Sequence, residues 1–382
     1  MKLFNWNVKL WAFVFALIIV LAGAGVLLSD NDVSKDTAVV ISRVNTEGSG
    51  IFGDDPEMVT IENGIAVFHK EHWEGKTIAT PGETSIQYKM IKEELIKIGL
   101  EPKAYDNTIP CPDNSIYLKT TGVALMKEEY NTGIIDGGIA WEPIYSDVLL
   151  HADKKVYNLC ESNQLEGYDG HACCMIVGNS EFLDNNTEET VRFLAGYIKG
   201  VDFINHCKEH KDSDDYEELI QISSNLLGGQ YGEDVIEEAL DNVNFTYDLT
   251  NFQEEYVSLL NSFMEGGAIP KDAMSILDET PEEFAEDHID SSYLEAAKKM
   301  EQAESYRKAT LTVSYLGGDI HQLALQVAQD KGYFDEYGIE IKLQGPHSAG
   351  GAVLTAVLSG EADLGFAGAP PVVMMTTNTA IS

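Results

Sequence analysis

The residues of this 382-residue chain that offer binding chemistry are small hydrogen-bond donors and a few histidines, placed where strands give way to loops. Ring nitrogens, hydroxyl groups and open backbone amides at helix starts suit a small oxyanion. A tryptophan can stack on a ligand, and a glutamate that faces it would favour a solute with an amine or a heterocyclic donor. The candidate contacts are Gly48, Ser49, Thr84, Ser85, Trp141, Glu142, His171, Gly318, His321, Ser348, Ala349, Gly350, Gly368 and Ala369.

No stretch carries a catalytic signature of its own, and we expect neither enzymatic activity nor a cofactor. A metal site would need Cys and His at recognisable spacings, which the run at 171–174 matches only weakly, so we expect no metal. Only Arg43, Arg192 and Arg307 supply guanidinium groups, and only Arg43 lies near a candidate loop. A bidentate arginine clamp on an anion is therefore not expected beyond that one residue. Five cysteines leave one thiol unpaired even if two disulfides form.

The elements that must position these residues are clearest near the C-terminal end, from 310 to 375. Apolar patterning predicts strands at 311–315, 339–343 and 363–367, with a helix over 352–358 between the last two. Strands that alternate with helices imply right-handed crossovers and a parallel sheet. The loops that leave these strands then share one edge of the sheet, where open α/β folds bind ligands.

Two phrases of this unit, HQLALQVAQDKGYFDEYGIEIKL and LSGEADLGFAGAPP, closely resemble the opening of the periplasmic-type binding proteins of the nitrate, sulfonate and taurine group. That SsuA-like group also includes binders of thiamine-precursor pyrimidines. WEP at 141–143, HxCC at 171–174 and FTYD at 245–248 match the same family further along. The resemblance implies an α/β, two-lobed, type II periplasmic-binding-protein-like fold that closes around its solute by a hinge.

The order of the family's elements is rearranged in this chain. The unit at 310–375 begins the mature proteins of the family, but here it comes last, and reading Ser382 on into Thr37 restores the family's order. The resemblance therefore implies a circular permutation, with a truncated tandem gene as the alternative. The expected organisation is a signal anchor at 1–30, a first lobe formed by 37–57 and 181–382, and a second lobe at 58–180.

The N-terminal segment predicts where the protein resides. Lys2 and Lys9 precede an uncharged apolar run at 11–28, which is about long enough to cross a bilayer, and acidic residues follow it. Positive charge before a span keeps the N-terminus inside. A cleavable signal peptide usually has a shorter apolar core. We therefore expect an uncleaved transmembrane helix in the cell membrane, with the binding domain on the extracytoplasmic side.

The net charge of the chain restricts the kinds of partner that it can bind. With 63 acidic against 25 basic residues, the formal net charge is −38, which argues against binding to nucleic acid or to anionic membrane surfaces. The resemblance implies a monomeric solute receptor that serves the permease and ATPase subunits of an ABC importer. Nitrate, bicarbonate, an alkanesulfonate, taurine and a pyrimidine all remain open as the solute.

Two other functions stay open at this point. One is a membrane-tethered solute sensor without a transport role. The other is an enzyme that resembles the thiamine-pyrimidine synthases, which use a pyridoxal phosphate lysine and a cysteine-rich iron-binding run. The loop at 317–321 contains no lysine, and the run at 171–174 is only faintly similar to the cysteine-rich run.

Overall fold

Two six-stranded sheets organise residues 37–382, the part of the chain that the computed structural model describes. These residues belong to one unit. The signal anchor expected at 1–30 lies outside the described residues. Among the helices between 37 and 382, none combines the length and the apolar character that a membrane span requires.

Strands and helices alternate along most of the described range. Its strands are β1 (Ala38–Glu47), β2 (Ser49–Gly53), β3 (Val59–Glu62), β4 (Ile65–Phe68), β5 (Thr77–Thr80), β6 (Glu101–Ala104), β7 (Ser115–Thr120), β8 (Gly137–Trp141), β9 (Tyr157–Glu161), β10 (Ala172–Asn179), β11 (Val243–Phe245), β12 (Ala309–Leu316), β13 (Ile339–His347) and β14 (Leu364–Gly368). Its α-helices are Lys70–Trp73, Ile86–Lys97, Met126–Thr132, Ile144–His151, Ser180–Asn185, Thr187–Glu209, Asp214–Leu226, Glu233–Asn242, Phe252–Gly266, Ala273–Leu277, Pro281–Asp287, Ser292–Lys298, Leu323–Asp330, Tyr333–Glu336, Gly350–Leu358 and Ala369–Ala380.

The first sheet has the strand order β11–β1–β10–β14–β12–β13. β12 pairs in parallel with β13 and β14, so the strands predicted near the C-terminal end and their parallel arrangement are confirmed. β10 runs antiparallel to both β14 and β1. Met175 and Val177 pack in one buried cluster, Cys174 and Ile176 in another. Because both faces of β10 are covered by other side chains, the sequence of this strand is apolar over nearly its whole length.

The second sheet has the strand order β6–β7–β5–β8–β2–β9. β5 is parallel to its neighbours β7 and β8, and β6 is parallel to β7. β2 runs antiparallel to β8 and β9. We call 37–47 and 172–382, which build the first sheet and its helices, the first lobe, and 49–161, which build the second sheet, the second lobe.

The chain crosses between the lobes near Gly48 and again over 162–171. These crossings differ from the boundaries expected after 57 and after 180, because β2 pairs with second-lobe strands and β10 pairs with first-lobe strands. At the first crossing, Gly48 has a φ of +84°, a left-handed conformation that glycine adopts easily. A Cβ atom added there would also clash with the His321 ring. Gly48 therefore meets both the backbone and the packing requirement of this crossing.

A charged connection precedes β12. The helix-favouring run at 295–308 stays helical only as far as Lys298 and then continues without regular structure. The buried Arg192 guanidinium donates hydrogen bonds to the carbonyl oxygens of Arg307 (2.8 Å) and Tyr337 (3.0 Å). This side chain fixes the end of the connection against the first lobe just before β12 begins.

Candidate functional site

A cavity of about 210 Å³ lies where the carboxyl ends of parallel strands from both sheets meet. The second lobe contributes the loop after β5 and the end of β8. The first lobe contributes the loops after β12, β13 and β14 and the start of β10. The lining residues are Pro81, Gly82, Thr84, Ser85, Ile86, Gln87, Trp141, Cys173, Cys174, Leu316, Asp319, His321, Ser348, Ala349, Gly350, Gly351, Gly368 and Pro371.

The structure brings a majority of the residues predicted from sequence into this cleft. They come from two second-lobe segments and three first-lobe loops, although those segments are far apart in the chain. The predicted residues that line the cleft are Thr84, Ser85, Trp141, His321, Ser348, Ala349, Gly350 and Gly368.

The other predicted residues do not line the cleft. Ser49 is buried behind it, and its hydroxyl accepts a hydrogen bond from Gln87 Nε2 at 2.9 Å. His171 is also buried, with Nδ1 2.8 Å from the carbonyl oxygen of Tyr168. Burial lowers the pKa of His171, so the ring is neutral. Gly48 lies at the first crossing between the lobes, Gly318 lies in an exposed turn, and Ala369 is buried in the first turn of its helix.

Glu142 differs most from its predicted place, because its carboxylate does not face the cleft. The side chain is completely buried, and it accepts hydrogen bonds from Ser146 Oγ (2.8 Å), Ser146 N (3.1 Å) and Asn242 Nδ2 (2.7 Å). Burial raises the pKa of Glu142 to about 7. Glu142 therefore gives no reason to expect an amine or a heterocyclic donor on the solute.

Two helix starts supply the backbone donors of the cleft. Ser85 caps the helix Ile86–Lys97, accepting from Tyr88 N at 3.1 Å and donating to the carbonyl oxygen of Gly82 at 2.7 Å. The helix Gly350–Leu358 begins after Ala349, which provides no side-chain cap. Because the first amides of a helix lack partners within it and lie at its positive end, both starts attract negative charge.

The third helix start contributes packing more than donors. The helix Ala369–Ala380 follows Gly368, and Pro370 and Pro371 remove two of its first backbone N–H groups. A Cβ added at Gly350 would lie 2.8 Å from Pro371 Cγ. The glycine therefore allows these two helix starts to approach each other at the cleft wall.

Asp319 and His321 bring opposite charges into the cleft. Asp319 Oδ1 lies 2.9 Å from His321 Nδ1 and accepts the His321 backbone N–H at 3.0 Å. Cys173 Sγ lies 4.0 Å from the same Nδ1. Burial lowers the pKa of His321, but the Cys173 sulfur and the Asp319 carboxylate outweigh this effect and raise it well above its ordinary value. The ring is therefore a cation held between two anionic groups.

Cys173 and Cys174 are the neighbours of that cation. Their sulfur atoms lie 3.9 Å apart, and both residues are buried at the cleft wall. A hydrogen bond with Cys174 and the charge of His321 lower the pKa of Cys173 well below its ordinary value. The hydrogen bond with Cys173, together with burial, raises the pKa of Cys174. These opposite shifts favour Cys173 as the thiolate of the pair and Cys174 as the protonated thiol.

Within 37–382, two groups bring three potential metal ligands together. In the cleft, the ligand atoms of Cys173, Cys174 and His321 all lie within 4.8 Å of one another. However, Asp319 hydrogen-bonds to His321 Nδ1, and Nε2 lies against Gly48, so the ring offers the sulfurs no free lone pair in this arrangement. The second group, Asp55, Glu57 and His72, lies at the surface, with His72 Nδ1 hydrogen-bonded to Asp55 Oδ2 at 2.8 Å. We assign no metal to either group.

The guanidinium of Arg43 is used inside the protein and does not line the cleft. It donates to the carbonyl oxygens of Gly170 (3.2 Å) and Thr250 (3.0 Å), and it pairs with the Glu255 carboxylate. No Lys or Arg is among the lining residues given above. The cleft thus offers an anion two helix starts and no arginine clamp, because the His321 ring is already bound to Asp319 through Nδ1 and packed against Gly48 through Nε2.

The sequence reasoning missed several lining residues. Asp319 could have been found, because an aspartate directly before the 3₁₀ turn Ile320–Gln322 has the form of a helix cap, and its carboxylate indeed accepts the His321 N–H. Gln87 carries no such signal, since a glutamine in a first helical turn is ordinarily solvated. The remaining lining residues that were not predicted are Pro81, Gly82, Ile86, Cys173, Cys174, Leu316, Gly351 and Pro371.

The fold and the cleft define a two-lobed α/β protein with a cavity between its lobes, and comparison with known proteins agrees on the fold. Residues 321–380 match the model of the family described as NMT1/THI5 like. The periplasmic nitrate-binding protein NrtA from Synechocystis PCC 6803 is similar to this chain with a TM-score of 0.50 and 12% identity, over 72% of this chain and 70% of that one. The family resemblance and the α/β binding-protein fold predicted from sequence are thereby confirmed.

Two further solved structures are similar over a smaller part of the chain. The aliphatic sulphonate binding protein SsuA from Escherichia coli matches at 17% identity and a TM-score of 0.38, over 61% of this chain and 66% of that one. A zinc-bound ligand binding component of an ABC-type import system from Staphylococcus aureus matches at 13% identity and a TM-score of 0.36, over 58% and 66%. This chain thus spans about two thirds of their length. No curated protein sequence matches it significantly.

Proposed function

We propose that this protein is the solute-binding receptor of an ABC importer and that its two lobes close around a small anion or small organic solute. The observation that carries the proposal is the cleft between the two sheets. Helix starts line it from both sides, at Ile86 in the second lobe and at Gly350 in the first. A ligand between them contacts both lobes at once, so its binding favours the closed arrangement.

The chemistry of the cleft favours a compact solute with oxygen acceptors. Open backbone amides and the hydroxyls of Thr84 and Ser348 are donors. Trp141 offers an aromatic face for an organic part of the solute. Nitrate, bicarbonate, sulfonates and taurine fit this description, and a pyrimidine would use the aromatic face. Binding without chemical turnover is part of the proposal.

The proposal also includes a location and partners. We infer that the apolar run at 11–28 anchors the protein in the cell membrane as a single span, with the binding domain outside, as a monomer. The permease and ATPase subunits of the importer would then receive the solute from the closed form. The structural relative NrtA, described as a periplasmic nitrate-binding protein, supports this location.

We further infer that the chain is a circular permutation of the family's order. β1 and β12–β14 belong to one sheet although they lie at opposite ends of the described range. A reordered gene in which 309–382 precede 31–298 tests this inference. We expect the reordered protein to unfold in one cooperative transition and to bind the same solute. A reordered chain that fails to fold would contradict the permutation.

A thermal-shift screen of the full chain tests the receptor function. The solutes are nitrate, bicarbonate, alkanesulfonates, taurine and thiamine-precursor pyrimidines. A solute at a hundredfold excess over its Kd adds about 2.7 kcal/mol of stability. Thr84→Trp, which fills the cleft, should abolish the shift. The neighbouring Glu83→Trp alters an exposed residue that does not line the cleft and serves as its control. No shift with any solute would contradict the proposal.

A further inference from the structure

Cys173 and Cys174 are neighbours in β10, yet both side chains lie on the same side of the strand. A regular strand would place them on opposite sides. Successive side chains of a β-strand point to opposite faces of the sheet. In the pairing of β1 with β10, Cys174 lies opposite Asn45 and Ala172 lies opposite Thr46, so Cys173 has no partner in β1. This irregularity is a β-bulge, which redirects side chains locally. As a result both sulfurs reach the cleft, 3.9 Å apart.

The two thiols of the pair have different surroundings, which make Cys173 the nucleophile and Cys174 the second thiol. Cys173 Sγ lies 4.0 Å from His321 Nδ1, and Asp319 Oδ1 holds that nitrogen at 2.9 Å. Because the carboxylate and the sulfur approach the same ring nitrogen, the ring acts as a fixed cation and not as a proton relay. A thiolate is the form of cysteine that attacks disulfides, and a neighbouring cation stabilises it.

The other cysteines of the chain lack this environment. Cys160 and Cys207 are buried, and burial raises the pKa of each. Cys111 is partly buried, and burial raises its pKa as well. These three thiols are therefore poor nucleophiles and serve as internal controls.

We propose that Cys173 and Cys174 form a redox-active dithiol in the wall of the solute cleft, with a small-molecule disulfide as its oxidant. The Cys173 thiolate attacks one sulfur of the oxidant, forms a mixed disulfide and releases one thiolate. Cys174 then transfers its proton to that leaving group and attacks Cys173 Sγ, which forms the Cys173–Cys174 disulfide and releases the second thiolate. Two electrons pass from the cysteines to the oxidant.

Formation of the bond brings the two sulfurs from 3.9 Å to about 2.05 Å and turns Cys173 away from His321.

The experiment uses the full chain, incubated with rising ratios of oxidised to reduced glutathione, quenched in acid and alkylated. The peptide at 156–192 contains Cys160 as well as Cys173 and Cys174. Mass analysis after denaturing alkylation should show that two of its three alkylations and 2 Da are lost, and fragmentation should place the remaining alkyl group on Cys160. A reductant should restore all three alkylations. Cys173→Ser and Cys174→Ser should each abolish the disulfide, whereas Cys207→Ser should leave it unchanged. A second experiment uses the wild type alone. Phenylarsine oxide should bind both sulfurs of the reduced pair and so prevent the alkylation of Cys173 and Cys174.

A kinetic readout tests the role of His321 as a positioning residue. In the wild type, the alkylation rate of Cys173 should change little between pH 6 and 8. In His321→Gln it should rise about tenfold per pH unit, as for an ordinary thiol well below its pKa. Cys173 and Cys174 that stay alkylatable at every glutathione ratio would overturn the proposal. A mixed disulfide on Cys173 that Cys174 never displaces would also overturn it. The same holds if the protein contains one equivalent of zinc that must be removed before either thiol reacts.

Discussion

Asn242 of the first lobe donates a hydrogen bond of 2.7 Å to the buried carboxylate of Glu142 in the second lobe. The same carboxylate accepts the Ser146 N–H and hydroxyl at the start of the helix Ile144–His151. His151 Nε2 of that helix lies 3.2 Å from Asp234 Oδ2 of the first lobe. The two lobes are thus joined by side chains outside the cleft as well as by the crossing segments.

Asn242→Ala should destabilise the protein. The variant leaves a buried carboxylate without one of its donors, and such a loss costs about 1–3 kcal/mol. Urea denaturation of the full chain measures the difference. Asn225→Ala removes an amide that is bonded only to Gln221 within one helix at the surface, and its stability should stay within about 0.5 kcal/mol of the wild type. Equal stabilities of the two variants would show that the contact between the lobes contributes little.

Glu142 should make stability depend on pH. Burial raises its pKa from 4.5 to about 7, so the folded chain binds this proton more tightly than the unfolded chain does. The stabilisation is present in full below pH 4.5 and is lost as pH rises through about 7, with a limit of roughly 3 kcal/mol. Glu142→Gln cannot titrate. The stability of the wild type relative to this variant should therefore fall between pH 5 and 8.

The pH comparison must be made against the variant, because Glu47 also titrates in this range. Burial raises the pKa of Glu47 to about 7, although the Gly170 N–H and the Ser162 hydroxyl oppose the rise. Its contribution appears in both proteins and cancels in the difference. A difference between wild type and Glu142→Gln that is constant from pH 5 to 8 would contradict the assignment to Glu142.

Gly350 and Gly351 should respond differently to the same substitution. A Cβ at Gly350 would lie 2.8 Å from Pro371 Cγ, whereas a Cβ at Gly351 would meet Met375 Sδ at an ordinary 3.5 Å. We expect Gly350→Ala to separate the two helix starts and to weaken solute binding about tenfold or more. Gly351 also lines the cleft, but its added Cβ does not separate the helix starts, so Gly351→Ala should lose far less affinity than Gly350→Ala. Its folding stability should rise by up to about 1 kcal/mol because alanine has the higher helix propensity. Calorimetric titration checks both, and equal affinities would be inconsistent with the packing described.

Oxidation of the dithiol should strengthen the binding of an anionic solute. The reduced cleft carries the Asp319 carboxylate, the His321 imidazolium and the Cys173 thiolate, and the disulfide removes the thiolate charge. Less repulsion then acts on an anion. Titration of the oxidised and reduced full chain should show the lower Kd for the oxidised form, and Cys173→Ser, which lacks the attacking sulfur, should show no dependence on the oxidant. A higher Kd on oxidation would contradict this electrostatic argument.

The elements that border the cleft were predictable, whereas their partners were not. The alternation at 339–343 and the apolar pattern at 352–358 are local signals, and both elements form as expected. Lobe membership depends on which strands pair, so β2 and β10 fell on the wrong side of the expected boundaries. The approach of Cys173 to His321 joins residues 148 positions apart. No local pattern reports such a contact.

Calorimetric titration of the full chain with the solutes named above tests the central claim most directly. The account predicts saturable binding of one solute per chain for at least one of them, retained by Glu83→Trp and abolished by Thr84→Trp. Absence of saturable binding for every solute, or equal binding by the two variants, would contradict the claim that the cleft between the lobes captures the solute.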